Sequence, residues 1–169
     1  MAMRIRPARP EDAQVLARLH VDSWRAAYRG LVPDSRLDRL NPGRRAEQFR
    51  EMLGGSEAET YVGEASGEIV GFLTVGDCRD EGLDKTVTGE IWGIYLAPAH
   101  WRKGFGRRLC GHGEGIVRSA GRSVCVLWVF AGNAAARRFY EAMGYAADGA
   151  SKILEIDAPL EAVRYRKTL

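Results

Sequence analysis

The stretch Gly89-Glu90-Ile91-Trp92-Gly93-Ile94-Tyr95-Leu96-Ala97-Pro98-Ala99-His100-Trp101-Arg102-Lys103-Gly104-Phe105-Gly106-Arg107-Arg108-Leu109 governs how the rest of the chain is read. It opens as an apolar run of strand length and stops at Pro98, which cannot donate a ladder hydrogen bond. A short basic loop follows, with two glycines one residue apart. Beyond it Phe105, Leu109, Ile116 and Ala120 recur at helical spacing. A strand, a glycine loop and a helix therefore succeed one another. The first turn of such a helix leaves backbone N–H groups unpartnered, and its dipole favours an anion there. Gly104 and Gly106 remove the side chains that would hold a phosphate away from those groups. Arg102, Lys103, Arg107 and Arg108 add positive charge. The stretch reads as a pyrophosphate cradle or, on the loop alone, as a tight turn with a solvated basic face.

Spacing excludes two common cradles. A dinucleotide fingerprint needs a third glycine where Leu109 stands, and a P-loop needs Gly-Lys-Ser/Thr to close it; neither is present.

The 169 residues suffice for one domain, 1–169, with a real core and little room for a second. Apolar residues at 46% and charged residues at 28% are ordinary for a globular chain. The net charge of +3 is too small to argue for nucleic acid, and the basic residues gather at 102–108 as a local anion site. Cys78, Cys110 and Cys125 lack metal-ligand spacing, and no metal site is expected. No signal peptide or span-length apolar segment is seen, so a reduced, cytoplasmic setting without membrane contact is expected.

In order, Met3 to Pro7 alternates as a strand, and Pro10-Glu11-Asp12 opens a helix. On that helix Val15, Leu16, Leu19, Ser23 and Ala26 share one face, and Ala17, Val21, Trp24 and Tyr28 form a second stripe. A surface helix needs one apolar face. Trp24 and Tyr28 therefore pack on a neighbour or wall a substrate pocket. Pro33 and Pro42 start further helices, the second running to about Leu53. Glu59 to Ala65 and Glu68 to Asp77 form a hairpin around Ser66-Gly67. Ser123 to Phe130 reads as a central strand, and Asn133 caps a helix that Gly144 stops. Tyr145 onward, Lys152 to Ile156 and Ala162 to Lys167 read as closing strands. The order predicts a mixed α/β sheet with helices on both faces. Gly111, Gly113 and Gly115 in the helix after the loop each cost about 1 kcal/mol in helix propensity, for which the sequence offers no account.

The basic loop, the following strand and Asn133-Ala-Ala-Ala136-Arg-Arg-Phe139-Tyr140-Glu141-Ala-Met-Gly144-Tyr145 together resemble the GNAT superfamily of acyl-CoA-dependent N-acyltransferases. Arg6-Pro-Ala-Arg-Pro-Glu-Asp12 and the run from Trp24 to Pro33 share the resemblance, which spans essentially the whole chain. It implies a sheet of about seven mostly antiparallel strands with a splayed central pair. It also implies acetyl-CoA as co-substrate and a primary amine as acceptor: a small molecule, a peptide N-terminus or a lysine. A homodimer would be in keeping with it. The family's loop is usually Gln/Arg-x-x-Gly-x-Gly/Ala, and Trp101 departs from it at the first position, so no polar role passes to Trp101.

By the same resemblance, backbone N–H groups of Arg102, Lys103, Gly104, Phe105, Gly106 and Arg107 hold the pyrophosphate, and pantetheine pairs along Ile94, Tyr95 and Leu96. Asn133 contacts pantetheine, caps its helix, or does both. The N–H near Leu96 is the family's oxyanion donor. Tyr140 matches the family's general acid, and otherwise would be a core aromatic. An amine attacking a thioester must also lose a proton. Glu90, fourteen residues before Gly104, is the candidate base or else a solvated strand-end carboxylate. His20, His100 and Asp22 are weaker candidates. A binding module that holds acyl-CoA without turnover is the competing reading, and retention of Tyr140 and Glu90 favours the enzyme.

Overall fold

In the computed structural model, which describes residues 3–169, the N-terminal alternation becomes β1 (Arg4–Pro7). A single 3-10 turn at Pro10–Asp12 precedes α1 (Ala13–Tyr28), so the first helix opens later than the prolines predict. The reason is local. The Asp12 carboxylate accepts from Arg9 N–H at 2.7 Å and from both ends of the Arg6 guanidinium, tying the turn back to β1. α2 (Asp34–Asp38) is short; α3 (Pro42–Leu53) is capped by Asn41, whose Oδ1 accepts from Arg44 N–H at 3.1 Å.

β2 (Ala58–Ala65) and β3 (Glu68–Asp77) form the predicted hairpin. Ser66 and Gly67 both hold positive φ, 53° and 83°, as a two-residue primed turn requires. β4 (Thr88–Leu96) follows, then α4 (Phe105–Ser119), β5 (Val124–Phe130) and α5 (Ala134–Ala142). The chain closes with β6 (Ala146–Glu155) and β7 (Pro159–Thr168). Tyr145 onward and Lys152 to Ile156 are thus not separate strands. One bulged strand covers both segments, its register shifting between Ala147 and Ser151.

Among the described residues the sheet has seven strands in the order β1-β2-β3-β4-β5-β7-β6. Every pairing is antiparallel except β4 with β5. That parallel pair is joined by a crossover through α4, and it is short: only Thr88, Gly89 and Glu90 oppose Val124, Cys125 and Val126. Past Glu90 the two strands splay apart. β4 also carries a bulge, where Val75 faces Ile91 but Thr74 faces Gly93, leaving Trp92 unpaired. The extra residue lets Ile91 and Ile94 point to the same side.

Two layers cover the sheet. On one face Leu109 and Val117 of α4 and Tyr140 of α5 pack on Leu73, Val75, Ile91 and Leu127. On the other, Leu16 and Ala17 of α1 and Phe49 of α3 pack on Val62 and Phe72. α4 lies close to β4. A Cβ at Gly113 would meet Leu73 and Ile91 at 3.2–3.3 Å, and one at Gly89 would meet Val117 at 2.7 Å. Close packing explains Gly113, but Gly111 and Gly115 face open space. The apolar face of α1 also differs from expectation. Val15 is exposed, and His20, with 4% of its surface accessible, takes a place in the buried face. α1 is covered by α3 as well as by the sheet, which turns its buried face toward His20.

Candidate active site

The basic loop presents the first turn of α4. Gly104 is the N-cap residue with φ +83, and no side chain caps the helix. The first-turn N–H groups therefore lack protein partners. A Cβ at Gly104 would meet no atom within 4 Å, so its glycine serves conformation and leaves open space before it. Arg102 holds φ +57, which costs a non-glycine residue about 1 kcal/mol or more. Arg102, Lys103, Arg107 and Arg108 are exposed, whereas the Phe105 ring is buried against His100 and offers only its backbone. Trp101 fastens this loop to the sheet. Its indole N–H donates to the Leu96 carbonyl at 2.9 Å.

The splay leaves the inner edge of β4 open. Ala97 N–H donates to Val70 on β3 at 2.9 Å. Backbone groups alternate sides along a strand, so the N–H groups of Ile94 and Leu96 point away from β3 into the gap. The side chains divide: Ile94 and Leu96 pack toward α4, and Tyr95 packs on Phe72 on the other face.

Tyr140 belongs to the core beneath α4 and α5, where Cys110 and Cys125 adjoin it. Its hydroxyl makes no hydrogen bond among the described residues. Burial pushes this phenol well above the usual tyrosine range, and Cys110, Tyr28 and Tyr95 push the same way. Tyr28 and Tyr95 lie on the opposite face of the sheet. There Tyr28 packs on Trp24 and Phe130, and Tyr95 on Phe72 and His20. Asn133 caps α5, its Oδ1 accepting from Ala136 N–H at 3.1 Å, and its side chain also acts on the Tyr28 hydroxyl.

Across the gap an aromatic wall runs along α1. His20 stacks on Trp24 at 5.3 Å between centroids; Trp24 meets Tyr28 edge-on at 4.8 Å; Tyr28 meets Phe130 at 5.0 Å. Trp24 and Tyr28 thus pack on Phe130 of β5, as the packing reading expects.

Glu90 is not a solvated carboxylate. Only 1% of its surface is accessible. Its oxygens accept from Arg79 N–H at 2.8 Å, Nε at 3.1 Å and Nη2 at 2.5 Å. Arg79 in turn lies 4.3 Å above the Trp92 ring. Of the weaker candidates, Asp22 is exposed on α1, His100 lies beside α4, and burial lowers His20 to about 3, so it is neutral. Sequence reasoning missed Arg79 and Arg45, which have no motif, and placed His20 only as a candidate base. The i, i+4, i+8 spacing of His20, Trp24 and Tyr28 was the available signal. Two surface pockets of about 370 and 360 Å³ are lined by neither Tyr140 nor the basic loop.

The model of the acetyltransferase (GNAT) family matches residues 18–145. The chain belongs to the GNAT family. Its relatives include YuaI, an uncharacterised N-acetyltransferase of Bacillus subtilis, 31% identical over 131 residues, 76% of this chain and 72% of that one. The L-methionine sulfoximine/L-methionine sulfone acetyltransferase of Salmonella typhimurium is 32% identical over 99 residues, covering 58% of this chain and 54% of its own. Among solved structures, the PaiA N-acetyltransferase of Thermoplasma acidophilum in complex with coenzyme A superposes with a TM-score of 0.81 at 18% identity over 100% of both chains. This GNAT chain is an acetyltransferase, and acetyl-CoA is its acetyl donor. The residues present suit that donor: uncapped amides and exposed cations for the phosphates, and an unpaired strand edge for an extended arm. Among the described residues no helix is long and apolar enough to cross a membrane, and no metal-ligand cluster occurs.

Proposed function

We propose that this GNAT enzyme acetylates a small primary amine by direct attack on the thioester, with Tyr140 as general acid. What supports the reading is the Tyr140 hydroxyl, which makes no hydrogen bond among the described residues and sits on the helix that Asn133 caps. The amides from Arg102 to Arg107 hold the pyrophosphate, while Ile94, Tyr95, Leu96 and Asn133 line the pantetheine. Leu96 N–H donates to the carbonyl oxygen as it gains charge. Tyr140 donates its proton toward the departing sulfur; its raised pKa keeps that proton in place at any working pH. Glu90 takes the amine proton through water. A carboxylate offers about four acceptor sites, and Arg79 fills three, leaving one on Oε2. Trp24 and Tyr28 wall the acceptor. A relative that acts on methionine derivatives supports a small acceptor. Three buried free thiols suit a reducing, cytoplasmic setting.

The test is Tyr140→Phe, which keeps the ring and its packing. kcat should fall by on the order of 10²-fold with acetyl-CoA affinity unchanged. A variant with wild-type kcat, chemistry being rate-limiting, assigns the proton to water instead.

A further inference from the structure

Arg79 encloses the buried carboxylate of Glu90. Its Nε and Nη2 donate to Oε1 at 3.1 and 2.5 Å, and its backbone N–H donates to Oε2 at 2.8 Å. Glu90 has 1% of its surface accessible while the Arg79 side chain is half exposed, so the pair reaches solvent through the arginine. The guanidinium is itself held. Its Cζ lies 4.3 Å from the centre of the Trp92 ring, and the Trp92 indole N–H donates to the Asp77 carbonyl at 3.1 Å. Trp92 is the residue that the β4 bulge leaves unpaired. β3 and β5 oppose Glu90 with Gly76 and Val126, neither of which carries charge. The other ionisable groups nearby are occupied or neutral. Arg122 engages Asp77, Trp128 and Arg164 engage Asp80, and Lys85 engages Glu81. Burial raises the Cys78 thiol and the Tyr95 phenol, so both stay neutral. Among the described residues Arg79 is therefore the one cation within ion-pairing distance of Glu90. A carboxylate buried without a cation takes up a proton, and in that form it cannot serve as a base.

We propose that Arg79 is a positioning residue for acetyl transfer: it keeps the Glu90 carboxylate ionised and leaves one acceptor site, on Oε2, for the incoming proton. This rests on the reading of Glu90 as base. The two side-chain donors take Oε1 and the backbone N–H takes one side of Oε2, so the remaining lone pair has a fixed direction. The proton passes from the amine nitrogen through water to Oε2, and the guanidinium stays protonated throughout. Trp92 keeps the guanidinium from swinging out to solvent. The β4 bulge thus serves the chemistry, because it frees an indole to lie against the cation that holds the base.

The experiment compares kcat/KM of Arg79→Met with that of the wild type from pH 6.5 to 8.5. The acceptor is the best of ethanolamine, 1,4-diaminobutane, glycinamide and L-methionine sulfone. Dividing variant by wild type cancels the ionisation of the amine itself. The quotient should be about 0.1 or less at pH 6.5 and rise about fivefold or more by pH 8.5, because an unpaired Glu90 holds a proton at the lower pH. A merely structural loss lowers the quotient equally at every pH, so a quotient that does not change with pH overturns the proposal. Arg79→Lys keeps the charge, and its quotient should stay flat within about twofold; one as steep as that of Arg79→Met overturns the proposal too. Should Arg79→Met fail to fold, Arg79→Gln, which keeps a donor and loses the charge, is held to the same outcomes. If Glu90→Gln keeps the wild-type profile, the base reading fails by itself, and if no amine is acetylated, the acetyl-transfer reading does. The hold of Arg79 on the ionised carboxylate is then judged by infrared spectroscopy at pH 6.5. A protonated-carboxyl stretch in Arg79→Met that is absent from the Arg79→Met, Glu90→Gln double variant supports it, and no such band overturns it.

Discussion

The indole N–H of Trp101 donates to the carbonyl oxygen of Leu96 at 2.9 Å, joining the basic loop to the last residue of β4. The two parts of the proposed donor site, phosphate cradle and strand edge, are thus tied together by one side chain. Trp101→Phe keeps most of the ring and loses only this bond. A net hydrogen bond is worth about 1 kcal/mol, so acetyl-CoA affinity should weaken about fivefold. Calorimetry decides; an unchanged affinity means the loop holds its place without Trp101.

Gly104 is needed for its φ of +83 and for the open space before it. Gly104→Ala should cost about 1–2 kcal/mol of stability through the left-handed backbone alone. Gly104→Glu adds a carboxylate at the proposed phosphate site, and should also abolish the rise in melting temperature expected of the wild type with acetyl-CoA. A Gly104→Glu protein with full thermal response would place the cradle elsewhere.

The three glycines of α4 should separate experimentally. Gly111→Ala and Gly115→Ala meet no neighbouring atom and should each stabilise by about 1 kcal/mol, through helix propensity and a restricted unfolded chain. Gly113→Ala presses on Leu73 and Ile91 and should gain nothing or destabilise. Urea midpoints of the three variants give the ranking.

Buried titratable groups bound the pH range of stability. Burial lowers His20 from 6.5 to about 3, so below 6.5 the unfolded chain binds a proton that the fold refuses, and stability falls with pH from there. Burial raises Cys110 from 9.0 to about 12 and Cys125 to about 11, so above 9.0 the unfolded chain releases protons that the fold keeps, and stability falls again. The urea midpoint should be flat between these limits and decline on both sides. Burial also lowers His112, so His20→Asn should reduce the decline between pH 6.5 and 4 without abolishing it; an unchanged decline would place its origin outside His20.

Much of the fold was legible because local signals and tertiary demands agreed. Asn41 and Asn133 cap the helices their positions announce, and Ser66-Gly67 makes the turn its residues favour. Pro98 and the two glycines marked the end of β4 and the start of α4. Disagreement arose where a second layer intervened. Val15 fits an apolar stripe but lies outside the surface that α3 and the sheet jointly cover, and His20 lies within it. Glu90 reads as a strand-end carboxylate because nothing local announces Arg79, eleven residues back across a loop. Arg45 escaped notice for the same reason: its neighbours His20, Phe49 and Tyr95 come from three different elements. Motif residues are announced by spacing along the chain, whereas contacts between distant elements are assembled by packing.

The seam between β4 and β5 is closed over three residues at one end only. Past Glu90 it stands open as far as Leu96, and α4 lies against the closed end, where Val117 leaves no room for a side chain on Gly89. Hydrogen exchange at the Ile94 and Leu96 amides should therefore report the aperture of the whole seam, slowing when an extended ligand zips its two lips together.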